Sequence, residues 1–281
     1  MSDPFHITGP ALISFSGGRT SAYMLWRILQ AHGGTLPDDV HVTFANTGKE
    51  REETLRFVHE CGVRWNVRVR WLEWVQRTGE PHERFAEIGY NSAARNGAPF
   101  AGLIAAKSYA PNSVMRFCTD ELKIKVMKNF MLAQGYAHWT NVIGLRHDEP
   151  TRVAKSRARS AIGKERWVNA LPLDDAKISN RDVRAFWSAQ PFDLQLLPFE
   201  GNCDGCFLKG RSKLWEIERT KPGTLKWWAD QEAAIGATFR SDRSYAELIR
   251  DVRRQPDLFA GGIFDADPDM DVECGTWCED V

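Results

Sequence analysis

Short apolar runs alternate with amphipathic segments through the first quarter of the chain. Residues 11–15, 40–45 and 67–72 are predicted strands, because apolar and β-branched side chains dominate each run. Residues 20–32 and 50–61 are predicted helices. Strands and helices that alternate at this spacing predict an α/β fold, an open parallel sheet with helices on both faces.

The pattern is less regular further along. Residues 76–113 are polar and rich in Gly, Asn and Ala, which predicts an irregular insertion. Residues 147–166 carry six Arg or Lys and few large apolar groups, which predicts a mobile basic loop or a phosphate-facing flap. The remaining predicted elements are helices over 119–134 and 180–190, a strand over 140–145 and a helical region from 211 to about 254. We expect an α/β domain over residues 1–200 and a mostly helical, cysteine-containing region with a flexible tail over 201–281.

Composition narrows the class of protein. The chain has 281 residues, with 37 Lys and Arg balanced by 37 Asp and Glu, so no global basic field indicates a nucleic-acid partner. No apolar run approaches the ~18 residues of a membrane helix, and the first residues lack a signal segment. We expect a cytoplasmic protein. In a reducing compartment, its six cysteines are better candidates for metal ligands or reactive thiols than for disulfides.

A glycine loop joins the first strand to the first helix. Ser14 lies near the end of the first strand and is a further candidate binding residue, and Ser16-Gly17-Gly18-Arg19-Thr20-Ser21 follows at the helix start. Glycines let the backbone approach a ligand closely, and the free N–H groups of a helix start bind anions. The loop resembles the pyrophosphate loop (PP-loop) of the adenine-nucleotide alpha-hydrolases, which cleave ATP between the α and β phosphates. The alternative is a strand-to-helix turn without a ligand.

A second polar turn follows the second strand. Asn46, Thr47 and Gly48 lie where the carboxyl end of that strand meets the next helix. Ligands of open parallel sheets bind beyond the carboxyl ends of the strands. These residues are therefore predicted to bind the ribose or adenine of ATP, unless they only cap the helix.

Several segments, in the same order, resemble the phosphoadenosine phosphosulfate (PAPS) reductase family. They include the Asn46-Thr47-Gly48 turn, the glycine and arginines of Gly144-Leu145-Arg146 and Arg152, and the pair Cys203 and Cys206. Reductases of the family usually carry a Ser-Phe-Gly loop, whereas this chain keeps Ser-Gly-Gly. It is therefore closest in motif to the ATP-using sulfur-transfer relatives, such as enzymes of DNA phosphorothioation and RNA thiolation.

The resemblance implies where the nucleotide phosphates bind. Arg19, Lys123, Arg146 and Arg152 are positioned by motif to contact them, and Arg offers a planar fork that suits phosphate. Asp148 and Glu149 either hold Mg²⁺ through the nucleotide or pair with these arginines. Arg19 and Arg146 are the predicted catalytic residues among the basic groups.

The cysteines suggest a metal centre. In related reductases, a tandem cysteine pair and a Cys-x-x-Cys motif hold a [4Fe–4S] cluster, and here Cys118, Cys203 and Cys206 remain of that set. Cys274 is a candidate fourth ligand. Zn²⁺ or free thiols are the alternatives. Glu273-Cys274-Gly275 also resembles the reductase tail whose cysteine attacks the sulfonucleotide, which makes Cys274 a candidate catalytic nucleophile.

These features predict an ATP pyrophosphatase that adenylates an acceptor for sulfur transfer. The alternatives are a thiol-dependent reductase that takes PAPS or adenosine phosphosulfate (APS) and releases sulfite, and a non-catalytic nucleotide-binding subunit. The resemblance implies a sulfur-donor protein or a thioredoxin-like reductant as partner. A nucleic-acid acceptor is not indicated by the charge, no membrane is expected, and a homo-oligomer is left open.

Overall fold

The computed structural model describes residues 3–76, 80 and 83–254. The described residues form a six-stranded sheet with the order β4-β3-β2-β1-β5-β6. All neighbouring strands are parallel except β3 and β4, which are antiparallel. The strands are β1 Ala11–Ser14, β2 Val40–Asn46, β3 Val69–Trp74, β4 Phe85–Ile88, β5 Trp139–Val142 and β6 Trp167–Ala170.

Helices cover both faces of this sheet, as the alternation of elements predicted. The helices are α1 Arg19–Ala31, α2 Glu52–Arg64, α3 Ala98–Lys107, α4 Phe117–Thr119, α5 Lys125–Ala133, α6 Pro150–Ile162, α7 Pro172–Asp175, α8 Asn180–Ser188, α9 Arg211–Thr220, α10 Lys226–Ile235 and α11 Tyr245–Arg254. Successive side chains of a strand point to opposite faces. Ile13 of β1 accordingly enters one core with residues of α1, α2 and α8, whereas Leu12 enters a second core with residues of α5 and α6.

Two segments that were predicted to be irregular contain regular structure. The segment 76–113 holds β4 and α3, and α3 buries Phe100, Leu103 and Ile104 in a third core. The predicted basic loop at 147–166 contains the helix α6 instead. The segment is mostly polar because α6 buries only a narrow face, formed by Val153 and Ser156, so the sequence pattern did not indicate a helix.

The C-terminal region is helical through α9, α10 and α11, as predicted. Its aromatic side chains, among them Trp228, Phe239 and Tyr245, pack in the third core together with residues of α3. The proposed division at residue 200 stays a prediction. Across the described ranges, no helix is long and apolar enough to cross a bilayer.

Candidate functional site

The glycine loop leaves β1, a central strand, and enters α1. Across the parts of the chain that the structure describes, the main-chain N–H groups of Gly17 and Gly18 have no hydrogen-bond acceptor, although both residues are buried. Gly18 caps α1 without a side-chain hydrogen bond, and the first turn of α1 holds no acidic residue. Buried N–H groups without an acceptor are rare in proteins. The start of α1 therefore offers a site for an anion.

Glycine is required at position 17 for two reasons. Its φ of +83° lies in the left-handed region, which side chains rarely adopt. A Cβ there would also lie 2.7 Å from Cγ2 of Thr54. The loop thus packs directly on α2 while its N–H groups remain available.

Hydroxyl groups brace the loop. The Ser16 and Ser21 Oγ atoms are 2.9 Å apart, and Ser21 Oγ donates to the Gly18 carbonyl at 3.0 Å. Unlike Ser16 and Ser21, Ser14 points its buried Oγ toward Sδ of Met127, at 3.8 Å. Ser14 therefore supports the core behind the loop.

Arg146 reaches the start of α1, as the motif predicted. Its buried guanidinium donates to Thr20 Oγ1 at 3.2 Å and to Asp148 Oδ1 at 2.9 Å. Close packing brings the two segments together, since a Cβ on Gly144 would lie 3.3 Å from Cα of Ser21. A buried cation thus lies beside the anion-binding turn.

The other predicted basic residues have carboxylate partners. Arg19 makes a bidentate pair with Asp193, at 2.7 Å and 2.6 Å. Arg152 pairs with Glu149. Lys123 is buried, with its Nζ 3.5 Å from Glu50 Oε1.

Asp148 and Glu149 contact arginines, which was the alternative to a Mg²⁺ site. Asp148 also accepts the Asn180 N–H at the start of α8, at 2.7 Å. Burial raises the pKa of Asp148, but hydrogen bonds from Asn180 and Arg146 outweigh it, so the net shift is downward. These carboxylates therefore act as counter-charges to Arg146 and Arg152 in this structure, and a role in holding Mg²⁺ stays a prediction.

The turn Asn46-Thr47-Gly48 after β2, the second loop, has side chains that form hydrogen bonds within the protein. The Asn46 amide donates to Glu73 Oε1 at 2.5 Å and to the Ala94 carbonyl at 2.9 Å, and its Oδ1 accepts the Gly48 N–H at 3.1 Å. Thr47 donates its N–H and its hydroxyl to Glu50. Asn46 and Thr47 thus stabilise the turn through their side chains. A nucleotide bound beside the turn would therefore contact mainly its main-chain groups.

The segment that carries Cys203 and Cys206 lies against both loops; we call residues 201–206 the cysteine loop. Its Asn202 amide donates to the Ser16 carbonyl at 3.1 Å, and Glu50 forms an isolated antiparallel bridge with Cys203. An ion pair of 2.6 Å between Lys49 and Asp204 also joins the segment after β2 to the cysteine loop. The sequence motifs did not single out Asn202, Lys49 or Asp204. Their only signal was that each neighbours a motif residue.

The two cysteines of this loop lie among buried charges. Burial raises the pKa of the Cys203 thiol well above its usual value and Glu50 adds to the rise, whereas Lys123 opposes it. Burial also lowers the pKa of the neighbouring Lys209.

The predicted metal ligands are only partly brought together. Cys118 lies in α4 and packs against the third core. Among the residues described, no group of three or more His, Cys, Asp or Glu side chains is placed to hold a metal ion. Cys274, the predicted fourth ligand and nucleophile, lies outside the described residues. Cys118, Cys203 and Cys206 therefore do not complete a metal centre in this structure.

Comparison with known proteins gives the family. No established family profile matches the chain. It is 32% identical over 209 residues to the nin region protein ORF290 of Escherichia phage lambda, an alignment that covers 72% of this chain and 67% of the phage protein. The chain belongs to the family of this phage protein.

Two weaker similarities were found. The protein MJ0066 of Methanocaldococcus jannaschii is 24% identical over 245 residues, which are 86% of this chain but only 43% of the archaeal protein. The solved structure of the U34-tRNA thiolase NcsA from Methanococcus maripaludis, with its [4Fe-4S] cluster, aligns with a TM-score of 0.36 and 13% identity, over 92% of this chain and 77% of that one. Family membership rests on the phage relative alone.

Proposed function

We propose that this protein is a PP-loop enzyme that binds ATP at the glycine loop and cleaves it between the α and β phosphates. The observation that carries the proposal is the pair of buried N–H groups of Gly17 and Gly18, which have no acceptor within the described residues and lie beside Arg146. A phosphate oxygen would satisfy these donors, and the dipole of α1 would favour its charge.

The same arrangement would assist the chemistry. Charge builds up on the departing pyrophosphate as its bond to the α-phosphate breaks. Fixed N–H donors and a buried guanidinium stabilise such charge without reorganisation. Arg146 is already held by Thr20 and Asp148, so its position is set before any ligand binds. Mg²⁺ bound to the phosphates would supply further charge neutralisation.

The cysteine loop supports sulfur transfer as the purpose of ATP cleavage. An acceptor oxygen that has been adenylated becomes a good leaving group, and a sulfur nucleophile can displace AMP from it. Asn202 places Cys203 one residue from a direct contact with the glycine loop. A persulfide on a cysteine of this loop, with its outer sulfur supplied by a sulfur-donor protein, would fit this chemistry. The outer sulfur displaces AMP from the acceptor, and the other cysteine then releases the thiolated acceptor as a Cys203–Cys206 disulfide forms. A thioredoxin-like reductant would reduce that disulfide, and this reaction sequence requires no metal centre on the described cysteines.

Pyrophosphate release from ATP and Mg²⁺ tests the proposal. Arg146→Ala should weaken ATP binding by roughly 1.5–3 kcal/mol, the value of a hydrogen bond to a charged group, and should abolish release. Arg157→Ala is the matched control, because this exposed arginine pairs with Asp174 and Asp175.

Three results would contradict the proposal. Binding of ATP without pyrophosphate release would indicate a nucleotide-binding subunit. Sulfite release from PAPS would indicate the reductase. Unchanged ATP affinity in Arg146→Ala would remove the arginine from the site.

A further inference from the structure

The Asn202 side chain is a direct link between the cysteine loop and the glycine loop. Asn202 is 6% exposed, and its Nδ2 donates to the main-chain carbonyl of Ser16 at 3.1 Å. The main-chain carbonyl of Asn202 accepts the Arg51 N–H at 2.8 Å, which ties its backbone to the residue before α2. The backbone that carries the amide is therefore held in place from a second segment of the chain.

This contact determines the direction of a neighbouring donor. The Ser16 carbonyl and the Gly17 N–H belong to one peptide group, and in a planar trans peptide they point in opposite directions. A hydrogen bond that fixes the carbonyl toward Asn202 therefore aims the Gly17 N–H away from the cysteine loop. That N–H is one of the two buried donors without an acceptor in the described structure.

We infer that Asn202 is a positioning residue of the phosphate site. It touches no phosphate itself and acts by orienting the Ser16–Gly17 peptide, so that the Gly17 N–H is ready to bind an anion. The inference rests on the proposed function, because it assigns the anion as a phosphate of the nucleotide. Glycine at position 17 makes such a constraint necessary, since a glycine peptide is otherwise free to rotate.

The position of Asn202 also joins phosphate binding to the cysteine loop. Cys203 follows it directly and is bridged to Glu50, and the Asp204 N–H donates to the Lys49 carbonyl at 2.9 Å. An anion that immobilises the Ser16–Gly17 peptide therefore also holds Asn202 and the backbone of Cys203. Bound ATP should slow the alkylation of Cys203 and Cys206.

The experiment compares the wild-type protein with Asn202→Ala and Asn202→Leu. Leu keeps most of the side-chain volume and leaves no cavity, so this variant can still be measured if the Ala variant does not fold. Calorimetry measures the affinity for ATP, and competition measures that for adenosine, which lacks phosphates. We expect both variants to bind ATP about tenfold more weakly, as for the loss of one charge-assisted hydrogen bond, with adenosine affinity unchanged. Asn112→Ala is the control, because this asparagine caps main-chain N–H groups in an exposed loop.

A second measurement follows alkylation of Cys203 and Cys206 by iodoacetamide, with peptide mass spectrometry. ATP should protect both cysteines in the wild type and in Asn112→Ala, and should protect them less in the Asn202 variants at saturating ATP. Unchanged ATP affinity in a folded Asn202 variant would overturn the inference. An equal loss for ATP and adenosine would also overturn it, because it would indicate a general structural defect. Absence of ATP binding to the wild type would instead overturn the proposed function.

Discussion

At the scale of single residues, the glycine loop depends on one backbone conformation. Gly17→Ala places a Cβ in the left-handed region and 2.7 Å from Thr54 Cγ2. We expect the free energy of unfolding to fall by about 1–2 kcal/mol from the backbone alone, and by more from the contact. ATP affinity should fall as well, since relief of the clash moves the Gly17 N–H.

The matched control is Gly33→Ala. Gly33 has a φ of +64°, but a Cβ there would meet nothing within 4 Å. Urea unfolding should therefore show the backbone cost alone, and calorimetry should show unchanged ATP affinity. Equal losses of stability and affinity in the two variants would show that the contact with Thr54 has no role.

At the scale of elements, α8 and the segment after it hold the start of α1. The Trp187 Nε1 donates to the Arg19 carbonyl at 2.9 Å, and Asp193 pairs with the Arg19 guanidinium. Burial raises the pKa of Asp193, but the hydrogen bond and the charge of Arg19 outweigh it, so the net shift is downward. When folding lowers the pKa of a carboxyl, its charge stabilises the fold at any pH above the pKa it has in the unfolded chain. This contribution is lost as the pH falls through the lower pKa of the folded state.

This contact predicts a pH-dependent effect of Asp193→Asn. At pH 7 the variant should lose about 1 kcal/mol of unfolding free energy, a modest value because both side chains are partly exposed to solvent. The difference from the wild type should shrink as the pH falls below about 4, near the ordinary pKa of Asp. Urea unfolding at several pH values measures it. A difference that stays constant with pH would assign the loss to packing and not to charge.

The elements themselves were unequally predictable from sequence. The strands β1 and β2 are buried along their whole length and rich in apolar and β-branched side chains, so their pattern is plain. The helix α6 buries only Val153 and Ser156, and the short strand β4 is at the sheet edge. Such elements gain most of their stability from tertiary contacts, and local composition says little about them.

The candidate site shows the same division. The glycine loop could be placed because it directly follows a strand that the sequence defines, and Arg146 because a family motif marks it. The roles of Asn46 and Thr47 could not, because their side chains are taken up by Glu73, Ala94 and Glu50. No local pattern indicates which partner a buried amide will find.

At the scale of the whole molecule, the cysteine loop connects the sheet with the C-terminal helices. The Asp204 carboxylate accepts from Trp228 Nε1 of α10 at 2.9 Å and pairs with Lys49 beside the second loop. Trp227 covers the same ammonium, with Nζ 4.8 Å from the ring centroid. Lys49 lies more than 150 positions before both Asp204 and Trp227, so no sequence window contains both partners of either contact. Lys49 and Asp204 thus link the turn after β2 to a helical region that sequence alone leaves separate.

The ion pair should therefore contribute strongly to the stability of the whole fold. Lys49→Met removes the ammonium and leaves the Asp204 carboxylate largely buried, and the loss of one partner from a buried pair costs about 3–5 kcal/mol. Because the side chain of Asp204 is 19% exposed, we expect about 3 kcal/mol by urea unfolding. The double variant Lys49→Met/Asp204→Asn should recover part of this loss, since it removes the unpaired charge.

Lys226→Met supplies the control. Lys226 pairs with Asp230 on the exposed surface of α10, and such pairs contribute at most about 0.5 kcal/mol. Comparable losses in Lys49→Met and Lys226→Met would show that the buried pair does not hold the two regions together. A large loss in Lys49→Met that the second substitution does not relieve would assign the effect to packing of the Lys49 stem against Trp227. Relief by Asp204→Asn would instead establish that the fold cannot accommodate an unpaired carboxylate between the turn after β2 and the C-terminal helices.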